Sequence, residues 1–213
     1  MRIAANLDVL FDDRPLLDRV LAARLAGFDG VELRHPAGVA TISLAQALER
    51  AALPLARLVL EGGAQGFESA LQQALTDSAM LRPQQVGVVV DARSAMAEAQ
   101  LRGAAEAFAV LGIGVLCAGV SGERDAAGLL ALVERVNHPN CRVQLDLSGE
   151  AEQVAAIESS AGRIGYLQLD RPPAEGGSPA LLGALRSAGY RGWLGVGYRG
   201  AESFLGGGSH RPA

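Results

Sequence analysis

The segment from Cys141 to Asp170, CRVQLDLSGEAEQVAAIESSAGRIGYLQLD, constrains the fold more than any other part of the chain. An apolar run ends in Asp146, a helical stretch follows over about 150–159, and a second apolar run carries Gln168 and Asp170. Two extended runs joined by a connection of helix length pair in parallel, because antiparallel neighbours need only a tight turn. The polar residues that close each run then collect at one edge of the sheet, which is where parallel α/β folds place their ligands.

The same alternation runs through the whole chain. Strands are expected over 3–7, 30–34, 56–61, 86–90, 113–117, 142–146, 164–168 and 193–197, the fourth almost wholly apolar as a strand covered on both faces should be. Helices are expected between them, the first capped by Asp12 or Asp13 with Pro15 in its opening turn. Others fall at about 43–52, 67–77, 94–111, 126–136, 150–159 and 180–188. Eight strands alternating with helices predict a closed (β/α)8 TIM barrel. An open doubly wound sheet is the alternative, but no G-x-G-x-x-G follows the first strand and no P-loop is present. At 213 residues the chain is short for a barrel, so tight loops and missing helical turns are expected. One domain over 1–205 and a Gly-rich tail over 206–213 account for the length. AGFDGVELR at Ala26–Arg34 and AGYRGWLGV at Ala188–Val196 echo each other, each with a glycine ending a helix and an aromatic packing over its end.

Composition narrows the function class. The net charge of -4 is made of interspersed charges, without the Lys/Arg stripe that a nucleic-acid groove needs. Cys117 and Cys141 form no C-x-x-C pair and no disulfide framework, which points to a reducing compartment. The apolar start is too short for a signal peptide and no apolar run reaches membrane length, so a cytoplasmic protein without membrane or nucleic-acid partners is expected. A small-molecule ligand suits the pattern, and a homo-oligomer is compatible with it.

In a barrel, the upper mouth would hold Asn6, Glu32, Arg34, Glu61, Asp91, Cys117, Asp146, Gln168 and Asp170. Carboxylate and amide oxygens suit Mg²⁺ or Mn²⁺, so a divalent-metal site at this opening is chemically possible. The competing reading is that strand ends are polar where they meet water. Glu32, His35, Arg171 and Arg199 are the candidate substrate contacts, the two arginines as clamps for a carboxylate or phosphate. Cys117 reads as a buried, inert thiol, because neither His35, His138 nor His210 is placed to pair with it.

Several stretches carry a likeness to a known family. MRIAANLDVLFDDRPLLDRVLAARLAGFDGVELRHP at the start, CRVQLD at Cys141–Asp146, GYLQLDRPPAEGGSP at Gly165–Pro179 and ALRSAGYRGWLGVGY at Ala184–Tyr198 resemble the hydroxypyruvate isomerase branch of the xylose-isomerase-like barrels. That resemblance implies a (β/α)8 enzyme interconverting an α-hydroxy aldehyde and a ketone on a divalent metal. The metal would be held by a glutamate on strand five, an aspartate on strand six, a glutamine or histidine on strand seven and a glutamate on strand eight. Asp146 and Gln168 match the aspartate and the strand-seven ligand. Cys117 and Gly197 stand where the glutamates belong, and LSGE replaces the histidine expected after the aspartate. The resemblance therefore implies a degenerate metal site without normal isomerase activity. The alternative is an active isomerase or epimerase whose site is rebuilt from Asp146, Gln168, Glu61 and Asp91.

Overall fold

Strands whose side chains are apolar on both faces are stable only when both faces are covered, and closure of the sheet achieves this for the inner face. The computed structural model describes residues 1–34, 38–60, 66–120, 126–147, 157, 160, 162–172 and 177–201. Its elements are β1 (Arg2–Asn6), α1 (Leu16–Leu25), β2 (Gly30–Leu33), α2 (Thr41–Ala51), β3 (Leu55–Leu60), α3 (Phe67–Leu81) and β4 (Gln85–Val90). They continue with α4 (Ala97–Ala109), β5 (Gly114–Gly119), α5 (Ala126–Val136), β6 (Cys141–Asp146), β7 (Ile164–Leu169), α6 (Gly177–Ser187) and β8 (Trp193–Val196). All eight strands pair in parallel with their sequence neighbours, and β8 returns to β1 to close the barrel. This is the expected short (β/α)8 architecture, with six helices among the described residues. The helix expected over 150–159 lies outside the described residues apart from Ile157.

Period-two alternation splits each strand between two cores. One set, including Val31, Leu58, Val88, Val115, Val143 and Leu167, packs outward against Leu44, Leu71, Leu101, Phe108 and Leu132 of the helices. Inside the barrel a smaller cluster of Ala4, Ala56, Leu116, Tyr166 and Trp193 fills the lower half. The register slips once between Val31 and Glu32 against β3 and once between Val143 and Gln144 against β7. Each slip is a local irregularity that re-aims the side chains above it.

Helix ends depart from the sequence expectation in one place and match it in another. Neither Asp12 nor Asp13 caps α1: Pro15 itself occupies the cap position with no side-chain bond, and the Asp13 carboxylate pairs with the adjacent Arg14 guanidinium at 2.9 Å. The echo between the chain's two ends is real in three dimensions. Gly27 (φ 90°) and Gly189 (φ 77°) both take the left-handed turn that ends a helix. The amides that follow, Phe28 and Tyr190, donate back to Ala23 and Leu185 carbonyls at 3.1 Å, and both rings are buried.

At the lower end, Trp193 is held in place. Its Nε1–H donates to Gln84 Oε1 at 3.0 Å and the Arg2 guanidinium stacks 4.1 Å from its ring. A Cβ on Gly30 would stand 2.7 Å from the indole edge and 3.0 Å from the Pro54 carbonyl. Gly30→Ala is therefore expected to destabilise the barrel by about 1–3 kcal/mol, read as a lower midpoint in thermal denaturation followed by circular dichroism.

Candidate ligand site at the barrel mouth

Above the apolar floor the barrel interior turns polar, and the change begins with two charged residues in the middle of strands. Glu32 is 0 % exposed and Arg57 7 % exposed. The Arg57 Nε lies 3.1 Å from Glu32 Oε2. The same carboxylate oxygen accepts the Tyr166 hydroxyl proton at 2.5 Å, and the Arg57 guanidinium sits 4.9 Å above the Tyr166 ring. Arg57 Nη1 donates to Gln144 Oε1. Gly195 makes room for this arrangement, since a Cβ there would stand 2.5 Å from Glu32 Oε2 and 2.6 Å from Gln168 Oε1.

The network continues upward through two carboxamides. Gln144 Nε2 donates to Asp146 Oδ1 at 3.1 Å on β6, and Gln168 Nε2 donates to Asp170 Oδ1 at 2.8 Å at the end of β7. Asp146, Asp170, Gln168, Gln144 and Arg57 share the lining of a cavity of about 370 Å³ with Asn6, Asp8 and Arg34. Val59, Val89, Gly87, Ala118 and Gly119 complete its wall.

The electrostatics centre on Arg57. Burial opposes its charge, but the surrounding Glu32, Tyr166, Asp146 and Asp170 outweigh burial and hold the guanidinium protonated. Burial pushes the Glu32 carboxyl up, while Arg57 and the Tyr166 hydroxyl pull it back. Asp146 sits at the rim and reaches solvent, yet desolvation and the neighbouring Asp170 charge raise its pKa against the pull of Gln144 and Arg57.

The structure distributes the residues singled out from sequence unevenly around the cavity. Asp146 and Gln168 meet at the cavity, whereas Glu32 lies beneath it, bound to Arg57 and Tyr166 rather than lining it. Asp91 is exposed outside the lining, its Oδ1 accepting the Arg93 amide at 2.9 Å. Arg171 is exposed beyond β7 and outside the lining, and Arg199 is exposed and paired with Asp12 at 3.1 Å. Glu61 and His35 lie outside the described residues. Cys117, expected at the mouth, points the other way: it is 0 % exposed in the outer core, where burial pushes its thiol up to about 12. Strand alternation therefore turns Ala118 toward the cavity in its place. Sequence reasoning passed over Arg57, Gln144 and Tyr166. The available signal was a charged residue inside an apolar strand, Arg57 in LARLVL and Glu32 in GVEL.

A divalent metal finds one favourable feature here and several opposing ones. The buried oxygens Glu32 Oε1 and Gln168 Oε1 have no hydrogen-bond partner among the described residues, as vacant ligands would. No three His, Cys, Asp or Glu side chains converge on a metal position among those residues, however. Ala118 offers no donor, and at Gly197 even a Cβ would stand 2.9 Å from Asp170 Oδ1 and 3.0 Å from Asn6 Nδ2. The Arg57 guanidinium, in the lining beside Asp146 and Asp170, would repel a divalent ion placed among these oxygens. The described residues do not fit such an ion.

Comparison with known proteins accords with the fold. The chain is 28 % identical, over 92 % of its own length and 91 % of the relative's, to a 2-oxo-tetronate isomerase of Pectobacterium atrosepticum. A crystal structure named AP endonuclease, family 2, from Brucella melitensis superposes with a TM-score of 0.81 at 29 % identity, covering 96 % of each chain. A D-psicose 3-epimerase solved with D-fructose shares the fold, with a TM-score of 0.73 at 16 % identity over 92 % of this chain and 84 % of that one. No protein-family profile matches the chain. The protein is a closed (β/α)8 barrel, similar in sequence to 2-oxo-tetronate isomerases and sharing its fold with a D-psicose 3-epimerase.

A raised carboxyl pKa in the folded state means that protonation favours folding and ionisation opposes it. Asp146→Asn keeps an acceptor for Gln144 and removes that opposition. The variant is expected to be more stable than the wild type in urea denaturation at pH 7. The gain should shrink as pH falls through the carboxylate range and vanish where Asp146 is protonated in both states.

Proposed function

We propose that the mouth is a small-molecule site of sugar-isomerase type whose metal centre has degenerated, so that the protein binds a small polyhydroxy carbonyl compound without turning it over by the metal-dependent route. The observation that carries this reading is the state of the two glutamate positions. On β5 the cavity is faced by Ala118 with Cys117 turned away, and after β8 Gly197 leaves no room for a side chain. Both candidate proton-shuttling bases of the family mechanism are thereby missing, and no described carboxylate replaces them as a pair around one metal. What remains is rich in hydroxyl-binding groups: three amides, three carboxylates and two guanidinia around a cavity large enough for a four- to six-carbon ligand. The net excess of carboxylates at this opening is poorly suited to the phosphates of DNA, so the endonuclease name of the Brucella structure is not carried over.

A second reading is favoured by the partnerless oxygens of Glu32 and Gln168 and by the isomerase name of the Pectobacterium relative. In it, Asp146, Gln168 and Glu61 hold a metal and the isomerisation survives. Among the residues first assigned to such a site, Asp91 is spoken for by its own turn.

Titration of the demetallised protein with Mn²⁺, alongside isomerisation assays on 2-oxo-tetronate and simple ketoses, separates the two. The degenerate site predicts no heat of binding up to millimolar Mn²⁺ and no turnover with the metal present. Micromolar binding and metal-dependent turnover, both abolished in Asp146→Ala, would establish the second reading instead.

A further inference from the structure

We infer that Arg57 is the resident cation of the mouth, occupying the electrostatic role of a divalent metal and excluding one. The inference rests on the reading of the mouth given above and adds the physical agent responsible.

Three observations converge on it. Arg57 rises from the middle of β3 into the barrel and is fixed on three sides: by Glu32 at 3.1 Å, by the Gln144 carboxamide and by the face of Tyr166. A side chain held in this way is a permanent part of the interior and not a surface arginine that has folded inward. Second, Glu32, Asp146 and Asp170, three of the carboxylates in and beneath the mouth, all act on its charge electrostatically. They are among the carboxylates that a metal in this opening would use. Third, the surroundings are shaped to admit this pair, because any side chain at Gly195 would collide with Glu32 Oε2.

A buried ion pair is a poor source of stability compared with apolar packing of the same volume. Its presence at the ligand end of a short barrel is therefore better explained by the charge it supplies than by the fold it holds. The guanidinium donates hydrogen bonds in a plane and cannot be displaced by chelators, so ligand binding at this mouth is insensitive to EDTA.

The decisive experiment removes the cation and looks for a metal. Mn²⁺ binding is measured by calorimetry, and by the rise in melting temperature, for the wild type, Arg57→Met and Arg57→Lys. Arg57→Met leaves Glu32, Asp146 and Asp170 without their countercharge and is expected to bind Mn²⁺ at least tenfold more tightly than the wild type. Its melting temperature should rise with Mn²⁺, and Asp146→Asn in the same background should abolish the gain. Arg57→Lys retains a positive charge and is expected to behave as the wild type. Because Arg57→Met strands a buried carboxylate, Glu32→Gln/Arg57→Met is the companion variant: it relieves that charge, leaves Asp146 and Asp170 uncompensated, and should also gain Mn²⁺ affinity. A variant that folds only when Mn²⁺ is added gives the same answer. If both Met variants remain as indifferent to Mn²⁺ as the wild type, folded or not, Arg57 is not what excludes the metal. That outcome leaves the reading of a degenerate site standing. Mn²⁺-dependent turnover by the wild type overturns both.

Discussion

The buried pairing of Arg57 with Glu32 is the interaction on which the upper half of this barrel depends. Each of these residues alone inside a barrel would be an uncompensated charge at low dielectric, which proteins do not tolerate. Together, with Tyr166 donating to the carboxylate and Gln144 accepting from the guanidinium, they form a polar layer across the barrel. That layer divides an apolar lower core around Leu116, Tyr166 and Trp193 from a polar cavity bounded by Asp146 and Asp170. Removing one member of a buried pair typically costs about 3–5 kcal/mol, so neither residue is free to vary alone.

The small residues at the barrel's interior positions follow from the same layer. Gly195 faces Glu32 and Gln168, Gly197 faces Asp170 and Asn6, and at the bottom Gly165 faces Leu116 and Arg142. A closed ring of eight strands has little interior volume, so each large side chain admitted from one strand requires a small one opposite. Gly197 follows the same rule: its missing side chain is part of the space in which Asp170 and Asn6 sit.

The outer core makes the fold independent of what lines the mouth. Packing between sheet and helices involves the opposite face of every strand, and residues such as Val88, Val115, Val143 and Leu167 make no use of the cavity. Alternation along the strand keeps most cavity-facing side chains apart from the outer core, so the residues lining the mouth can differ without disturbing the helix packing. Cys117 illustrates the separation. One position along β5 from a cavity-lining alanine, it is an inert member of the outer core.

Period and punctuation in the sequence determined the barrel. Apolar runs of strand length, each followed by a helical stretch and a glycine or proline break, leave few topologies open, and the order of elements and the paired Gly27 and Gly189 helix ends follow from local preference alone. Asp146 and Gln168 were legible as mouth residues because strand ends are local features too. What tertiary structure alone decided was which side of each strand faces inward. A single residue of register exchanges the faces, and the irregularities at Val31/Glu32 and Val143/Gln144 depend on neighbours far away in the chain. Hence Cys117 was expected at the mouth and lies behind it, Asp91 was expected there and closes its own turn, and Arg57 was read only as part of the third strand. The Arg57–Glu32 contact joins residues on two strands and needs Gln144, Tyr166 and Gly195 from three more. No local pattern carries such a meeting, because it exists only once the sheet has closed.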